Sequence, residues 1–257
     1  MGKVLVVAGQ KGGIGKTTTV VNLGASLAIF NKSVLLVDLD PQGSIGISFK
    51  LDEYHVKLGL YDVLVNNMAL TNAIIDSGLD NLDIAPMNVR NEEMEVELYS
   101  KALKIDLLDT VLKPVRKLYD YIIIDCPPNL GSMTLNGLVA ADEVLIPVLS
   151  EYYALKSLGK FLNTLKNISR KYNRKLRISG ILITMFDGRV KKQQEINDYL
   201  RKTFKHIVFK TVIPRNSKVA EAPSEGKPVI LHDIRSKGAL SYLKLAEEII
   251  EKDNKKQ

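Results

Sequence analysis

Cysteine is nearly missing from this 257-residue sequence. Cys126 is the sole thiol, and the three histidines, His55, His206 and His232, lie far apart without ligand-like spacing. One thiol excludes an intrachain disulfide framework, and scattered imidazoles do not make a structural zinc site. No apolar run approaches the roughly 20 residues that a membrane-spanning helix needs. The opening stretch, Met1-Gly2-Lys3 and then Val4-Leu5-Val6-Val7-Ala8, is too short for a secretory signal, and Gly9-Gln10-Lys11 ends it without a small-residue cleavage pattern. Position 6 is Val6, where a myristoylation signal needs Ser or Thr. The expected location is the cytoplasm. Linkers rich in Gly, Ser or Pro, internal repeats and low-complexity tracts are also missing, apart from a polar tail at Lys252–Gln257. The expectation is a single domain over residues 1–257.

What is present fits a globular chain with a sizeable core: 46% of residues are apolar and 25% charged, which excludes extended disorder and coiled coil. The net charge of +7 conceals a division. Residues 1–150 hold 12 basic and 18 acidic residues, whereas residues 151–257 hold 24 and 11. A skew of this size points to a polyanion meeting one side of the molecule. Solvated helices account for bare skew equally well, so a partner has to come from motifs.

Short Val- and Ile-rich runs predict strands at Lys3–Ala8, Ser33–Val37, Leu82–Ala85, Tyr121–Ile124, Glu143–Val148, Ile178–Thr184 and Ile207–Val212. Most do not alternate with polar residues, as expected of strands buried on both faces. Helical patterns lie between them. In Thr17–Asn31, residues Val20, Leu23, Gly24, Leu27 and Ala28 share one face, with Gly24 and Ala28 allowing close approach to a sheet. This alternation predicts an α/β fold with a mainly parallel central sheet covered by helices on both faces.

The strongest motif is Lys11-Gly12-Gly13-Ile14-Gly15-Lys16-Thr17-Thr18, between the first strand and the first helix. Glycines let backbone approach a phosphate, successive N–H groups form an anion nest, and the helix N-terminus adds its dipole. Lys16 is placed to reach the β- and γ-phosphates and the Thr17 hydroxyl to ligate Mg²⁺. The usual phosphate loop has glycine at position 10, where this chain has Gln10, and a second lysine, Lys11, stands inside the loop. After the second strand, Asp38-Leu39-Asp40-Pro41-Gln42-Gly43 puts carboxylates where ligands bind in parallel sheets. A third apolar strand ends in Asp125-Cys126-Pro127-Pro128, the Walker B arrangement whose aspartate holds Mg²⁺.

These residues resemble the deviant Walker A group of ATPases, whose pattern is Lys-Gly-Gly-x-Gly-Lys-Thr-Thr. The resemblance implies the three-layer P-loop NTPase fold, ATP and Mg²⁺ as cofactors, and a nucleotide-sandwich homodimer in which Lys11 crosses to the partner's ATP. Asp40 then positions the attacking water near Mg²⁺ in switch I, Asp38 is structural or supports the site from behind, Cys126 is a buried neighbour, and 127–131 form switch II. Val212-Ile213-Pro214-Arg215-Asn216 and Glu221-Ala222-Pro223-Ser224-Glu225-Gly226-Lys227-Pro228 resemble the ParA/Soj partition ATPases, as do 142–148 and Glu151-Tyr152-Tyr153-Ala154-Leu155. The resemblance spans essentially the whole chain. It gives Pro214 and Asn216 adenine contacts, and Arg189 and Lys218 contacts with non-specific double-stranded DNA, joined by Lys191 and Lys192. It also implies nucleoid association and a ParB/Spo0J-like centromere-binding partner that stimulates hydrolysis. Ser44 and Lys156-Ser157 depart from the usual family residues, Asn and Glu-Gly.

Other members of the group fit less well. The nitrogenase iron protein needs two cysteines per subunit. MinD ends in an amphipathic membrane helix with a basic polar face, whereas the last helix here sets Ala239, Tyr242, Leu243, Ala246, Ile249 and Ile250 on one side and mainly acidic residues elsewhere. That pattern is expected to pack into the core, so no membrane partner is expected. A metabolite ligase or kinase using the same loop is the third reading. Because the sequence opens at the first strand, an N-terminal operator-reading domain is not expected.

Overall fold

The computed structural model describes residues 2–51 and 56–255, without the side chains of 152 and 153. His55 and the last two residues of the polar tail therefore lie outside the described residues, as do the side chains of Tyr152 and Tyr153 of the family-like motif.

Among the described residues, eight strands form one sheet: β1 (Lys3–Val7), β2 (Val34–Asp38), β3 (Ile75–Leu79), β4 (Leu82–Ala85), β5 (Tyr121–Asp125), β6 (Glu143–Leu149), β7 (Arg177–Phe186) and β8 (Val208–Pro214). Their order is β3-β4-β2-β5-β1-β6-β7-β8, parallel throughout except for the β3–β4 pair. Seven of these strands are the predicted ones, each within two residues of its predicted ends. β3 was not anticipated. Its sequence, Ile75-Asp76-Ser77-Gly78-Leu79, is half polar, and it forms an antiparallel edge hairpin through Asp80-Asn81, with Asn81 at φ 65°. Its short length and polar content suit an edge, where a long apolar strand would invite intermolecular pairing.

The helices are α1 (Lys16–Ile29), α2 (Ser44–Ser48), α3 (Leu60–Val65), α4 (Glu92–Lys101), α5 (Leu107–Leu112), α6 (Ser132–Ala140), α7 (Tyr152–Lys171), α8 (Lys191–Phe204), α9 (Ser217–Glu221), α10 (Val229–His232) and α11 (Lys237–Asn254). They cover both faces of the sheet, giving the three-layer fold. One core cluster joins sheet residues such as Val6 and Ile124 to Leu98, Met133, Phe161 and Leu200 from helices α4, α6, α7 and α8. The other joins Leu5 and Ile123 to Leu23 and Leu27 of α1 and to Tyr242 and Leu245 of α11. Fully burying one such side chain contributes roughly 1.5–3 kcal/mol, so these two layers dominate the stability.

Two expectations about helix faces have direct structural content. Gly24 of α1 lies so close to β2 that an added Cβ would stand 2.5 Å from Leu36 Cδ2. Ala239, Tyr242, Ala246 and Ile249 of α11 are buried, so the apolar side of this helix belongs to the core. One expectation needs correction. The stretch read as a polar tail from Lys252 is helix through Asn254. Asp253 accepts hydrogen bonds from Lys3 Nζ (2.6 Å) and the Tyr121 hydroxyl (2.9 Å), which fasten the last turn beneath β1 and β5.

Candidate nucleotide site

Because seven strands run parallel, the segments following β1, β2, β5, β6, β7 and β8 all emerge at one edge of the sheet. The chain moves from β1 to β2 on one side and reaches β6 to β8 on the other, so a crevice opens beside β1. Ligands of open parallel sheets bind at this kind of position.

The glycine-rich loop fills that position. Gly13 (φ 70°) and Gly15 (φ 85°) occupy left-handed backbone, which any larger residue would strain. Gln10 has no such conformation, so the loop closes without the glycine usual there. The buried Ile14 anchors the loop, and Thr184 at the end of β7 donates from Oγ1 to the Ile14 carbonyl at 2.9 Å. Sequence reasoning missed Thr184; its one signal was a hydroxyl near the end of an otherwise apolar strand. The first turn of α1 carries no acidic residue and no side-chain cap, so its N–H groups remain for an anion.

Lys16 is buried, and its Nζ donates to the Lys11 carbonyl at 3.2 Å. Burial lowers its pKa, while Asp125, Cys126 and Asp40 oppose that shift. The Thr17 hydroxyl donates to Asp125 Oδ2 at 2.5 Å. The other oxygen, Asp125 Oδ1, is buried with no hydrogen-bond partner among the described residues. Burial pushes the Asp125 carboxyl up to about 7, against the pull of Thr17 and Lys16. Asp38 pairs with Asp125 in the strand register and is also raised, by burial first and then by Asp125. Its oxygens accept from Asp40 N (3.1 Å) and Ile45 N (2.9 Å), which gives it a structural task.

Asp40 is only half-buried, in a turn closed by Gly43 N donating to its carbonyl at 3.0 Å. Gly43 at φ 62° permits that turn. Across the site, Asn129 Oδ1 accepts from Gly131 N at 2.9 Å and shapes the segment after β5. Burial holds Asp38 and Asp125 towards the protonated form, and a cation at the orphaned Asp125 oxygen would favour the ionised carboxylate. A hydroxyl plus one or two carboxylates, with water completing the shell, is the donor set Mg²⁺ takes beside a phosphate. The residues present fit the ion.

The remaining predicted residues lie at the same edge. Pro214 ends β8 opposite Phe186, and Arg215 N donates to the Phe186 carbonyl at 3.0 Å. Asn216 caps α9 by accepting from Val219 N. Beside Thr17 and Thr18 is a cavity of about 260 Å³, bounded also by Asn22, Ser48, Pro223 and Lys227. Asn22, not singled out in sequence, donates to the Thr18 carbonyl (2.7 Å) and accepts from Val229 N (2.7 Å), tying α1 to α10.

Three of the four cationic residues each hold a carboxylate close by in the chain. Arg189 sits between β7 and α8 and donates to Asp187 from Nε (2.9 Å) and a terminal nitrogen (2.7 Å). Lys191 and Lys192 begin α8, and Lys192 pairs with Glu195 at 3.1 Å. Lys218 in α9 pairs instead with Glu221 at 2.8 Å.

Fold and site together define a P-loop ATPase of the deviant Walker A kind. A family model described as an AAA domain matches residues 2–178. The sporulation initiation inhibitor protein Soj of Bacillus subtilis is 45% identical over 249 residues, covering 97% of this chain and 98% of that protein. The chromosome-partitioning ATPase Soj of Treponema pallidum is 43% identical, covering 100% of both. Among solved structures, cobyrinic acid a,c-diamide synthase of Mycobacterium smegmatis with an ATP analogue and magnesium gives a TM-score of 0.81 at 31% identity, covering 96% of this chain and 93% of that one. The cell division ATPase MinD of Pyrococcus furiosus gives 0.83 at 27%, covering 98% and 99%. The chain belongs to the ParA/Soj family of chromosome-partition ATPases.

Proposed function

We propose that the chain is an ATP-driven DNA-partitioning switch: an ATPase that uses Mg²⁺, dimerises around ATP, binds DNA without sequence preference and lets go on hydrolysis. The observation that carries this reading is the second loop lysine, Lys11, whose carbonyl is held by Lys16 Nζ at 3.2 Å. That bond holds the Lys11 backbone, and its half-buried side chain remains to serve a nucleotide from outside its own subunit.

Within the site, the N–H groups of Gly12, Gly13, Ile14 and Gly15 and the start of α1 cradle the phosphates, with the Thr18 segment completing the cradle. Lys16 neutralises the β- and γ-phosphates. Thr17 and Asp125, with Asp40 nearby, would hold Mg²⁺, which would supply positive charge to offset that of the phosphates. Asp40 orients water for in-line attack on the γ-phosphorus. Lys11 of the second subunit stabilises the charge that develops on the transferring group. Pro214 and Asn216 contact adenine.

Joining two subunits doubles the cations facing one DNA and raises affinity by avidity, with Arg189, Lys191, Lys192 and Lys218 of each subunit meeting phosphates. Such contacts position without reading bases. A ParB/Spo0J-like protein accelerates turnover, and the switch works in the cytoplasm on the nucleoid. The buried apolar face of α11 favours this reading over a membrane-positioning ATPase, because Leu240 is the one large apolar side chain of that helix that is exposed. The test is binding to duplex DNA of arbitrary sequence with ATP and with ADP. Tight, salt-sensitive binding in ATP alone supports the switch. Equal binding with both nucleotides contradicts it.

A further inference from the structure

The basic half of the chain is concentrated in one place. Between Tyr152 and Phe186 the sequence holds eight Lys and Arg residues and no Asp or Glu. Most of that segment is α7, whose buried side presents Ala154, Leu158, Phe161, Leu165 and Ile168 to the core. At 3.6 residues per turn, Lys156, Lys160, Arg170 and Lys171 fall within an arc of about 100° on the opposite side, along roughly 22 Å of helix. Lys156, Lys160, Arg170 and Lys171 are exposed, as are Arg174 and Lys175 in the turn that follows.

These cations differ from three of the four sequence-predicted DNA contacts in one respect. Arg189, Lys192 and Lys218 each hold a carboxylate of their own chain, Asp187, Glu195 and Glu221. Among the described residues, no carboxylate pairs with Lys156, Lys160, Arg170 or Lys171, and Lys171 lies 4.8 Å from the Tyr172 ring centre. A paired cation must give up its carboxylate before it takes a phosphate. An unpaired one needs only to release counterions, which is the source of salt-dependent affinity for DNA.

The neighbourhood is also right. Both α7 and α8 contribute to the same core cluster, on the same face of the sheet, and both start at the nucleotide edge, where β6 and β7 end. Among the described side chains of α7 and the turn after it, Tyr172 is the one large apolar group that is exposed. An interfacial lipid-binding helix would need an apolar face to insert. The chemistry suits a hydrated polyanion with regularly spaced phosphates.

We propose that the outward face of α7 and the turn after it track the phosphates of duplex DNA and supply more of the salt-dependent affinity than Arg189, Lys192 and Lys218 do. The proposal rests on the partition reading above and adds a surface to it.

The experiment compares wild type with the triple variant Lys160→Gln/Arg170→Gln/Lys171→Gln and with Arg189→Gln/Lys192→Gln/Lys218→Gln. Dissociation constants for a short duplex of arbitrary sequence are measured in ATP and Mg²⁺ over a series of salt concentrations. The α7 triple is expected to flatten the slope of log affinity against log salt by at least about two, at slightly under one per lost phosphate contact. The loop triple is expected to flatten it less. The charge-retaining triple Lys160→Arg/Arg170→Lys/Lys171→Arg keeps the wild-type slope, and loss there as well would overturn a contact based on charge. A wild-type slope in the α7 triple, or a loop triple that loses as much, overturns this proposal and leaves the partition reading intact. Wild type failing to bind duplex in ATP defeats both. Sedimentation with phosphatidylglycerol–phosphatidylcholine vesicles that depends on these three residues, with unchanged DNA binding, would overturn the proposal in favour of a lipid surface.

Discussion

The Thr17 hydroxyl and Asp125 close a 2.5 Å hydrogen bond between the start of α1 and the end of β5, while Asp125 Oδ1 has no hydrogen-bond partner among the described residues. This pair joins the phosphate loop to the strand that carries the Walker B carboxylate. Asp125→Asn keeps the shape but removes the charge. The expected result is loss of the Mg²⁺ dependence of ATP binding and a fall in hydrolysis of about two orders of magnitude, comparable to removing one charge-stabilising group elsewhere. Titration calorimetry with and without Mg²⁺ checks it, and an unchanged Mg²⁺ dependence contradicts it.

The same carboxyl makes stability depend on pH. Asp125 is raised to about 7 by burial, while an unfolded aspartate titrates near about 3.9. Between these values the folded chain holds a proton that the unfolded chain has released, so stability falls as pH rises through the window. Asp38 is raised in the same direction, for the same first reason. In nucleotide-free, metal-free buffer, Asp125→Asn is expected to melt several degrees above wild type at about pH 8, with the gap closing towards about pH 4. Thermal melts at the two pH values check this, and an equal gap at both contradicts it.

Gly24 separates packing from function. A Cβ there would meet Leu36 Cδ2 at 2.5 Å, and Leu36 is fully buried. Gly24→Ala is expected to cost about 1–2 kcal/mol, the overpacking strain exceeding the gain in helix propensity. Denaturant unfolding reads the loss, and ATP affinity should not change. A stabilised variant would show that α1 does not approach β2 as described.

Asp253 reports on the last turn of α11. Asp253→Ala removes the acceptor for Lys3 and Tyr121 and is expected to cost about 1–2 kcal/mol, since Lys3 retains Glu143 at 2.7 Å. A variant as stable as wild type would show that 252–254 behave as a tail.

These residues also show what the sequence could and could not reveal. Strands β1, β2, β5 and β6 were legible because burial on both faces leaves an unbroken apolar run, and the loop was legible because phosphate chemistry restricts residue types at fixed spacing. β3 was not, because an exposed edge strand needs no apolar pattern. The end of α11 was missed because Asp253 and Lys3 lie 250 residues apart and only the fold brings them together. Thr184 and Asn22 were missed for a related reason. Their partners are backbone atoms, which leave no trace in residue identity. The pairing of Arg189, Lys192 and Lys218 with nearby carboxylates was within reach of i, i+2 and i, i+3 spacing, yet only geometry shows the bonds formed.

The central claim is that Lys11 acts across a dimer. Solution mass measured by light scattering with ATP and Mg²⁺ tests it, using Asp40→Ala to slow turnover and the double variant Asp40→Ala/Lys11→Ala beside it. Asp40→Ala is expected to run as a dimer, and the double variant as a monomer that still binds ATP. A double variant that dimerises as readily as Asp40→Ala would contradict the account.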